Sequence, residues 1–290
     1  MIARGPANIR SAIAAALDQE VADMTPLGGG DVADAYRVTF TDGRMVFAKT
    51  KADAVPGFFT TEASGLTWLR EAGAVKVPEV FAVSDDPPLL VQEWIEPGAP
   101  HRDTEADLGR ELAQLHKSGA PLFGREDRRS TGSRGLPNVP AATWAEFFAE
   151  QRLLVLARLA RHHRALADET IRAVEQIAAR IDSFVGPEEP PARLHGDLWA
   201  GNRLVGRGGV SWLIDPGSFG GHREFDIAMM YLFGGFGYEC FAAYHEAYPL
   251  ADGWERRIPL HQLAPLIVHV LKFGGPYVPA TQRAIGEILS

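Results

Sequence analysis

The segment His195-Gly196-Asp197-Leu198-Trp199-Ala200-Gly201-Asn202, with Asp215 thirteen residues beyond Asn202, constrains this chain more than any other feature. A carboxylate and an amide stand five residues apart on one glycine-bearing loop. A short β-rich run, Val210-Ser211-Trp212-Leu213-Ile214, then delivers a second carboxylate at a strand end, which fixes Asp215 beside the loop. Phosphoryl transfer needs such a set, because the protein's work is to hold a nucleophile in line and to place metal ions against the charge of the moving group. Asp197 is the expected acceptor of the attacking hydroxyl's hydrogen bond, and Asn202 and Asp215 are the expected ligands of Mg²⁺.

The spacing matches the template of a catalytic-loop Asp, a metal-binding Asn and a strand-borne metal-binding Asp. His-Gly-Asp alone is a common turn; the offsets of Asn202 and Asp215 are what lift it above that reading. Gly196 stands where regulated protein kinases often have Arg, so no cation is available there to receive a phosphorylated activation loop, and constitutive competence is expected. His195 is assigned a structural role.

A chain of 290 residues that is 46% hydrophobic can bury a large core and suits two lobes, drawn here as 1–95 for nucleotide binding and 96–290 for catalysis and substrate binding. The net charge of −8 and the lack of a long basic run remove the electrostatic basis for binding nucleic acid or an anionic membrane. A small-molecule partner is expected. Ile9, Ile13, Leu17 and Val21 recur every four residues, but Asp18 and Glu20 interrupt them, so the N-terminus reads as an amphipathic helix and not a signal peptide. No apolar run reaches the roughly 20 residues of a membrane span, and a cytoplasmic monomer is expected. Cys240 is the only cysteine, which excludes an internal disulfide and a cysteine-rich metal site.

The N-terminal lobe reads as strands. Ala35–Phe40, the turn Thr41-Asp42-Gly43 and Met45–Lys49 predict a hairpin. Gly28-Gly29-Gly30, just before it, permits close approach of backbone N–H groups to phosphate oxygens. Lys49 closes Val46-Phe47-Ala48-Lys49, the position of the lysine that pairs with nucleotide phosphates. Glu62, thirteen residues on in a helix that buries Leu66 and Leu69, is its expected partner. Glu93 and Ile95, at the end of the run Pro87–Ile95, are expected beside the adenine through their backbone groups.

The C-terminal lobe reads as helices: one capped by Asp103 or Thr104 with Leu108, Leu112 and Leu115, one opened by the capping box Thr143-Trp144-Ala145-Glu146 and running to about His163, and one capped by Asp168. Gly132-Ser133-Arg134-Gly135 is expected to be a loop. His116, His162 and His163 read as ordinary helix histidines. In Gly220-Gly221-His222-Arg223-Glu224-Phe225-Asp226, the polar residues His222, Arg223 and Glu224 are the substrate-side candidates. Asp226 is structural, capping a helix or reaching back to the catalytic loop. His269, in His269-Val270-Leu271-Lys272-Phe273-Gly274, is placed over the acceptor pocket.

Together, Leu198-Trp199-Ala200-Gly201-Asn202, Ile214-Asp215-Pro216 and Gly221-His222-Arg223-Glu224 resemble the fructosamine kinase (ketosamine-3-kinase) family, within the aminoglycoside phosphotransferase and choline kinase-like group. The resemblance covers nearly the whole chain. It implies an α+β, two-lobed protein-kinase-like fold with a small antiparallel β lobe and a larger helical lobe. It implies ATP- and Mg²⁺-dependent phosphorylation of a sugar hydroxyl of a ketosamine, free or on a glycated amine or protein, after which the adduct decomposes. It further implies that Asp197 is the base, Lys49 and Glu62 form the lysine–glutamate pair, and Trp199 lines the acceptor pocket. Many relatives carry a cysteine in the glycine turn; Gly28-Gly29-Gly30-Asp31 has none, so a disulfide-linked dimer through that turn is not expected. Aminoglycoside or choline-type phosphotransfer would use the same residues. The few acids after Asp226 (Glu239, Glu246, Asp252, Glu255) weigh against a polycationic acceptor.

Overall fold

The computed structural model describes residues 6–28, 33–127, 129 and 135–290, and of residues 6 and 7 the backbone alone. The chain divides into two compact units, Met1–His101 with Leu204–Asp215, and Arg102–Arg203 with Pro216–Ser290.

In the first unit, α1 (Pro6–Leu17) precedes β1 (Val21–Leu27), β2 (Asp34–Phe40) and β3 (Met45–Thr50); α2 (Phe58–Glu71) then leads to β4 (Val80–Asp85) and β5 (Pro88–Glu93). The strands form one sheet in the order β1-β2-β3-β5-β4, every pair antiparallel. Alternation in β2 and β3 buries Val38, Phe40, Val46 and Ala48 on one face, where Ile9 and Ile13 of α1 cover them. The β2–β3 turn closes as its sequence requires: Gly43 takes φ +84°, and the Asp42 carboxylate accepts the Arg44 N–H at 2.8 Å. Val21 ends up in β1, after α1 has stopped at Leu17.

Residues 204–215 group with this first unit, whereas a division at 95/96 leaves them with the second. Backbone pairing is the cause. The Leu213 N–H donates to the Lys76 carbonyl at 2.9 Å, and the Gly98 N–H to the Val205 carbonyl at 2.9 Å. Such non-local partners leave no periodicity in the sequence.

The second unit holds α3 (Thr104–Lys117), α4 (Trp144–Phe148), α5 (Leu154–His163), α6 (Asp168–Ala179), the short ribbon β6 (Ala192–Leu194) with β7 (Phe219–Gly221), and then α7 (Glu224–Phe233), α8 (Tyr238–Ala247), α9 (Trp254–Phe273) and α10 (Val278–Leu289). Its core joins Phe147, Phe148, Leu153, Ile171, Val174, Ile177, Phe219, Leu263 and Ile267. Thr143 caps α4 by accepting the Glu146 N–H at 3.1 Å, and Glu146 answers by accepting the Ala142 N–H at 3.1 Å. One π turn, Ala149–Leu153, joins α4 to α5, so the predicted helix to His163 is continuous but locally widened. Gly109 lets α3 press on α8: a Cβ there would lie 2.1 Å from the Cys240 carbonyl oxygen. That approach places His116, two turns later on α3, against Tyr244.

Candidate active site

The predicted site residues fall into two sets, one in each unit. In the first, β3 carries Lys49 and α2 carries Glu62, and the Lys49 ammonium is 2.9 Å from a Glu62 oxygen. Because α2 begins at Phe58, Glu62 lies more than a turn inside the helix and is not an N-terminal acid serving the helix dipole. The same ammonium makes a close ion pair with Asp215, which the sequence did not predict. Burial works against the charge on Lys49, but the two carboxylates outweigh it and raise its pKa. For Glu62, burial dominates and pushes the carboxyl up to about 7; Lys49 pulls it down and Asp215 adds to the rise. Asp215 itself sits at φ +54°, in the left-handed region that is uncommon for residues other than glycine.

Of the glycine turn, Gly28 is exposed, and a Cβ added there meets nothing within 4 Å, so packing does not demand glycine at that position. Gly29 and Gly30 lie outside the described residues, as do residues 132–134 of the expected loop. Glu93 donates its N–H to the Glu79 carbonyl at 2.8 Å, and its carboxylate accepts the Glu79 N–H at 3.2 Å. Both groups are thus committed to the β4 edge. Ile95 is half-buried and packs toward Gly206.

In the second unit, the turn after β6 carries the catalytic-loop candidates. Gly196 sits at φ +79°, and a Cβ there would lie 2.3 Å from the Gly217 carbonyl oxygen, so only glycine fits. Asp226, wholly buried in the first turn of α7, accepts the N–H groups of His195 (2.7 Å) and Gly196 (2.9 Å). Of the two roles foreseen for Asp226, reaching back to the loop is the one observed. His195 is buried and structural, its Nδ1 accepting the Asp197 N–H at 3.3 Å. The Asn202 amide nitrogen donates to the Asp197 carbonyl oxygen (2.8 Å) and carboxylate (3.1 Å).

Trp199 and His269 share one aromatic cluster. The Trp199 indole, 41% exposed, lies 6.2 Å from Phe233, whose ring centre is 4.6 Å from that of His269; Tyr277 and Phe273 follow at 4.9 and 5.5 Å from the imidazole. The indole lies over Gly201, where a Cβ would sit 2.3 Å from its far edge. Burial lowers the His269 pKa, and the bond that its Nδ1–H donates to the Pro265 carbonyl at 2.8 Å works the other way.

His222, Arg223 and Glu224 are not at this site, and the substrate role assigned to them is corrected. β6 and β7 are antiparallel with Leu194 opposite Phe219 and Ala192 opposite Gly221, so the residues after β7 emerge at the opposite end of the ribbon from His195. All three are at most 3% exposed. Arg223 makes a bidentate pair with Glu189 (2.6 and 2.7 Å), donates to the Tyr248 and Pro249 carbonyls, and lies 3.7 Å above the Tyr248 ring. Glu224 is clamped by Arg257 at 2.9 and 2.6 Å. Burial would raise the Glu224 pKa, but Arg257 and His261 bring it down to about 2. His222 lines a cavity of about 600 Å³ with Trp144 and Glu189, whose lining includes none of Asp197, Trp199 and Asn202. His222, Glu224 and His261 do approach as a metal-ligand set would, but both Glu224 oxygens are taken by a guanidinium, and these residues form a structural core.

The sequence reading passed over His116, which contacts Asp226 and Tyr244. A signal was present: Leu108, Leu112 and His116 recur every four residues, which puts the histidine on the buried face of α3.

The sequence profile of the fructosamine kinase family matches residues 7–290. A protein of Enterococcus faecium named as a probable ketoamine kinase is 35% identical over 257 residues, 88% of this chain and 91% of that protein. A crystal structure of a candidate fructosamine-3-kinase from Thermobifida fusca superposes with a TM-score of 0.90 at 38% identity, covering 98% of this chain and 99% of the other. The choline kinase of Streptococcus pneumoniae, at 19% identity and a TM-score of 0.68, covers 98% of both chains and shares the fold, which is the α+β kinase-like fold expected.

Proposed function

Because this chain belongs to the fructosamine kinase family and is an ATP-dependent phosphotransferase, we propose that it transfers the γ-phosphate to a sugar hydroxyl of a ketosamine, in a repair reaction that removes glycation from amines. The arrangement of Asp197 and Asn202 carries this reading. The Asn202 amide nitrogen engages the Asp197 carboxylate and backbone, which steadies the base, and the amide oxygen is the atom of that side chain able to meet a cation.

Asp197 accepts the proton of the attacking hydroxyl. Lys49, kept protonated between Glu62 and Asp215, would meet the phosphates of a bound nucleotide. Asn202 and Asp215 would each offer an oxygen donor of the kind that suits a hard dication such as Mg²⁺ better than a soft metal; such an ion would neutralise charge on the transferring group. The aromatic cluster of Trp199, Phe233 and His269 offers an apolar face to the acceptor.

The test is ADP release with fructose-lysine, ribulose-lysine, an aminoglycoside and choline as acceptors, with phosphorus NMR of the product. Turnover with the ketosamines and its loss in Asp197→Ala are expected. Preference for choline or the aminoglycoside would replace the acceptor, and full turnover by Asp197→Ala would remove the base.

A further inference from the structure

We propose that His116 is a positioning residue for catalysis: it orients the Asp226 carboxylate that holds the backbone of His195 and Gly196, and so sets where Asp197 stands. This rests on Asp197 being the base. His116 and Asp226 are 2% and 0% exposed. A carboxylate so buried is stable only when its oxygens are met by donors. Three come from side chain and backbone: the His195 N–H at 2.7 Å and His116 Nε2 at 3.3 Å on one oxygen, and the Gly196 N–H at 2.9 Å on the other.

The direction of these bonds follows from chemistry. Nε2 faces a carboxylate, so it carries the proton. In a neutral ring Nδ1 is then an acceptor, and the group opposite it, at 2.8 Å, is the Tyr244 hydroxyl, which can donate. The path therefore runs from Tyr244 to His116 to Asp226, each polar group meeting the next.

The inner end bears on the base directly. Gly196 is pinned between the Asp226 oxygen that takes its N–H and the Gly217 carbonyl that leaves no room for a Cβ, and Asp197 is the next residue. If the carboxylate turns, the two N–H groups it holds turn with it. The alternative is that His116 only satisfies a buried acid and matters for folding alone.

Three variants separate these. His116→Leu removes the donor to Asp226. His116→Gln keeps an N–H at the reach of Nε2. Tyr244→Phe removes one hydroxyl and leaves the ring packing. For His116→Leu, kcat per folded molecule is expected to fall about 10²-fold, the loss that a misplacement of about 1 Å produces, with KM for ATP unchanged and with faster hydrogen exchange at the His195 and Gly196 amides. His116→Gln should recover most of kcat at a comparable loss of melting temperature, and Tyr244→Phe should lie between. Wild-type kcat per folded molecule in all three, or an equal fall in His116→Leu and His116→Gln, overturns the proposal. If His116→Leu does not fold, Tyr244→Phe decides alone: a lowered kcat supports the path and an unchanged one ends it. Asp197→Ala, run alongside, tells the two failures apart, since an inactive Asp197→Ala beside normal His116 variants removes only this inference.

Discussion

Replacing Glu224 by Gln distinguishes a structural role from the substrate role that its place in Gly221-His222-Arg223-Glu224 invites. Glu224 is 2% exposed and Arg257 9%, with two hydrogen bonds of 2.9 and 2.6 Å between them, and His261 Nε2 stands 3.3 Å from the same carboxylate. Glutamine keeps the shape but removes the charge and turns an NH₂ toward a guanidinium or imidazole. Breaking a buried pair by removing one partner costs about 3–5 kcal/mol, because the other charge is left uncompensated. For a cooperative unit of this size each kcal/mol is about 2–4 °C, so the melting temperature should fall by roughly 6–20 °C. Calorimetry at pH 7.5 measures this, and kinetics at 20 °C on the folded fraction should show KM for the ketosamine unchanged. Adding Arg257→Met should recover much of the loss, since no orphaned charge then remains. An unaltered melting temperature with a raised KM for the acceptor alone would refute this reasoning and return Glu224 to the substrate.

Three further outcomes follow from local geometry. Gly201→Ala puts a methyl where the Trp199 indole now lies; the indole is exposed enough to swing aside, so KM for the acceptor should rise with little change in stability. An unchanged KM would remove Trp199 from the acceptor site. Gly196→Ala and Gly208→Ala both force a side chain into positive φ, at +79° and +72°, but only at 196 does the new Cβ strike backbone. Each should cost about 1–2 kcal/mol of strain, while kcat should collapse by about 10²-fold at 196 alone; equal kinetics in the two variants would contradict the fixed loop. Burial, with a smaller contribution from His261, holds the His222 pKa down to about 4 from an ordinary 6.5. The unfolded chain therefore takes up the proton first, and stability present above pH 6.5 is lost as pH falls toward 4, by about 3 kcal/mol. His222→Asn should flatten that part of the melting-temperature profile, and an unaltered slope would mean the ring does not titrate as described.

What the sequence made legible is what short-range rules govern. The β2–β3 hairpin, α3, the capped helix after Thr143, and the pairing of Lys49 with Glu62 all follow from alternation, turn chemistry, capping or a fixed order of parts. The grip of Asp226 on the catalytic loop was legible as one of two options, because an acid in a helix's first turn can bond its own helix or another backbone. The misplacement of His222, Arg223 and Glu224 has a different origin. Polar residues after a glycine pair look solvent-facing, and what overrides that is the charge of Glu189, 34 residues before Arg223, and of Arg257, 33 residues after Glu224. Ion pairs across such separations carry no periodicity, so the sequence shows the charges but not that each is answered. The same blindness hid the Lys49–Asp215 contact across 166 residues. His116 is the instructive intermediate: its spacing from Leu108 and Leu112 placed it inside, and a buried histidine must find partners. Which partners these are, Asp226 and Tyr244, depends on α3 meeting α8 at Gly109, where a Cβ would strike the Cys240 carbonyl. Local pattern thus tells which polar groups are buried, and only the fold tells which of them act on the reaction.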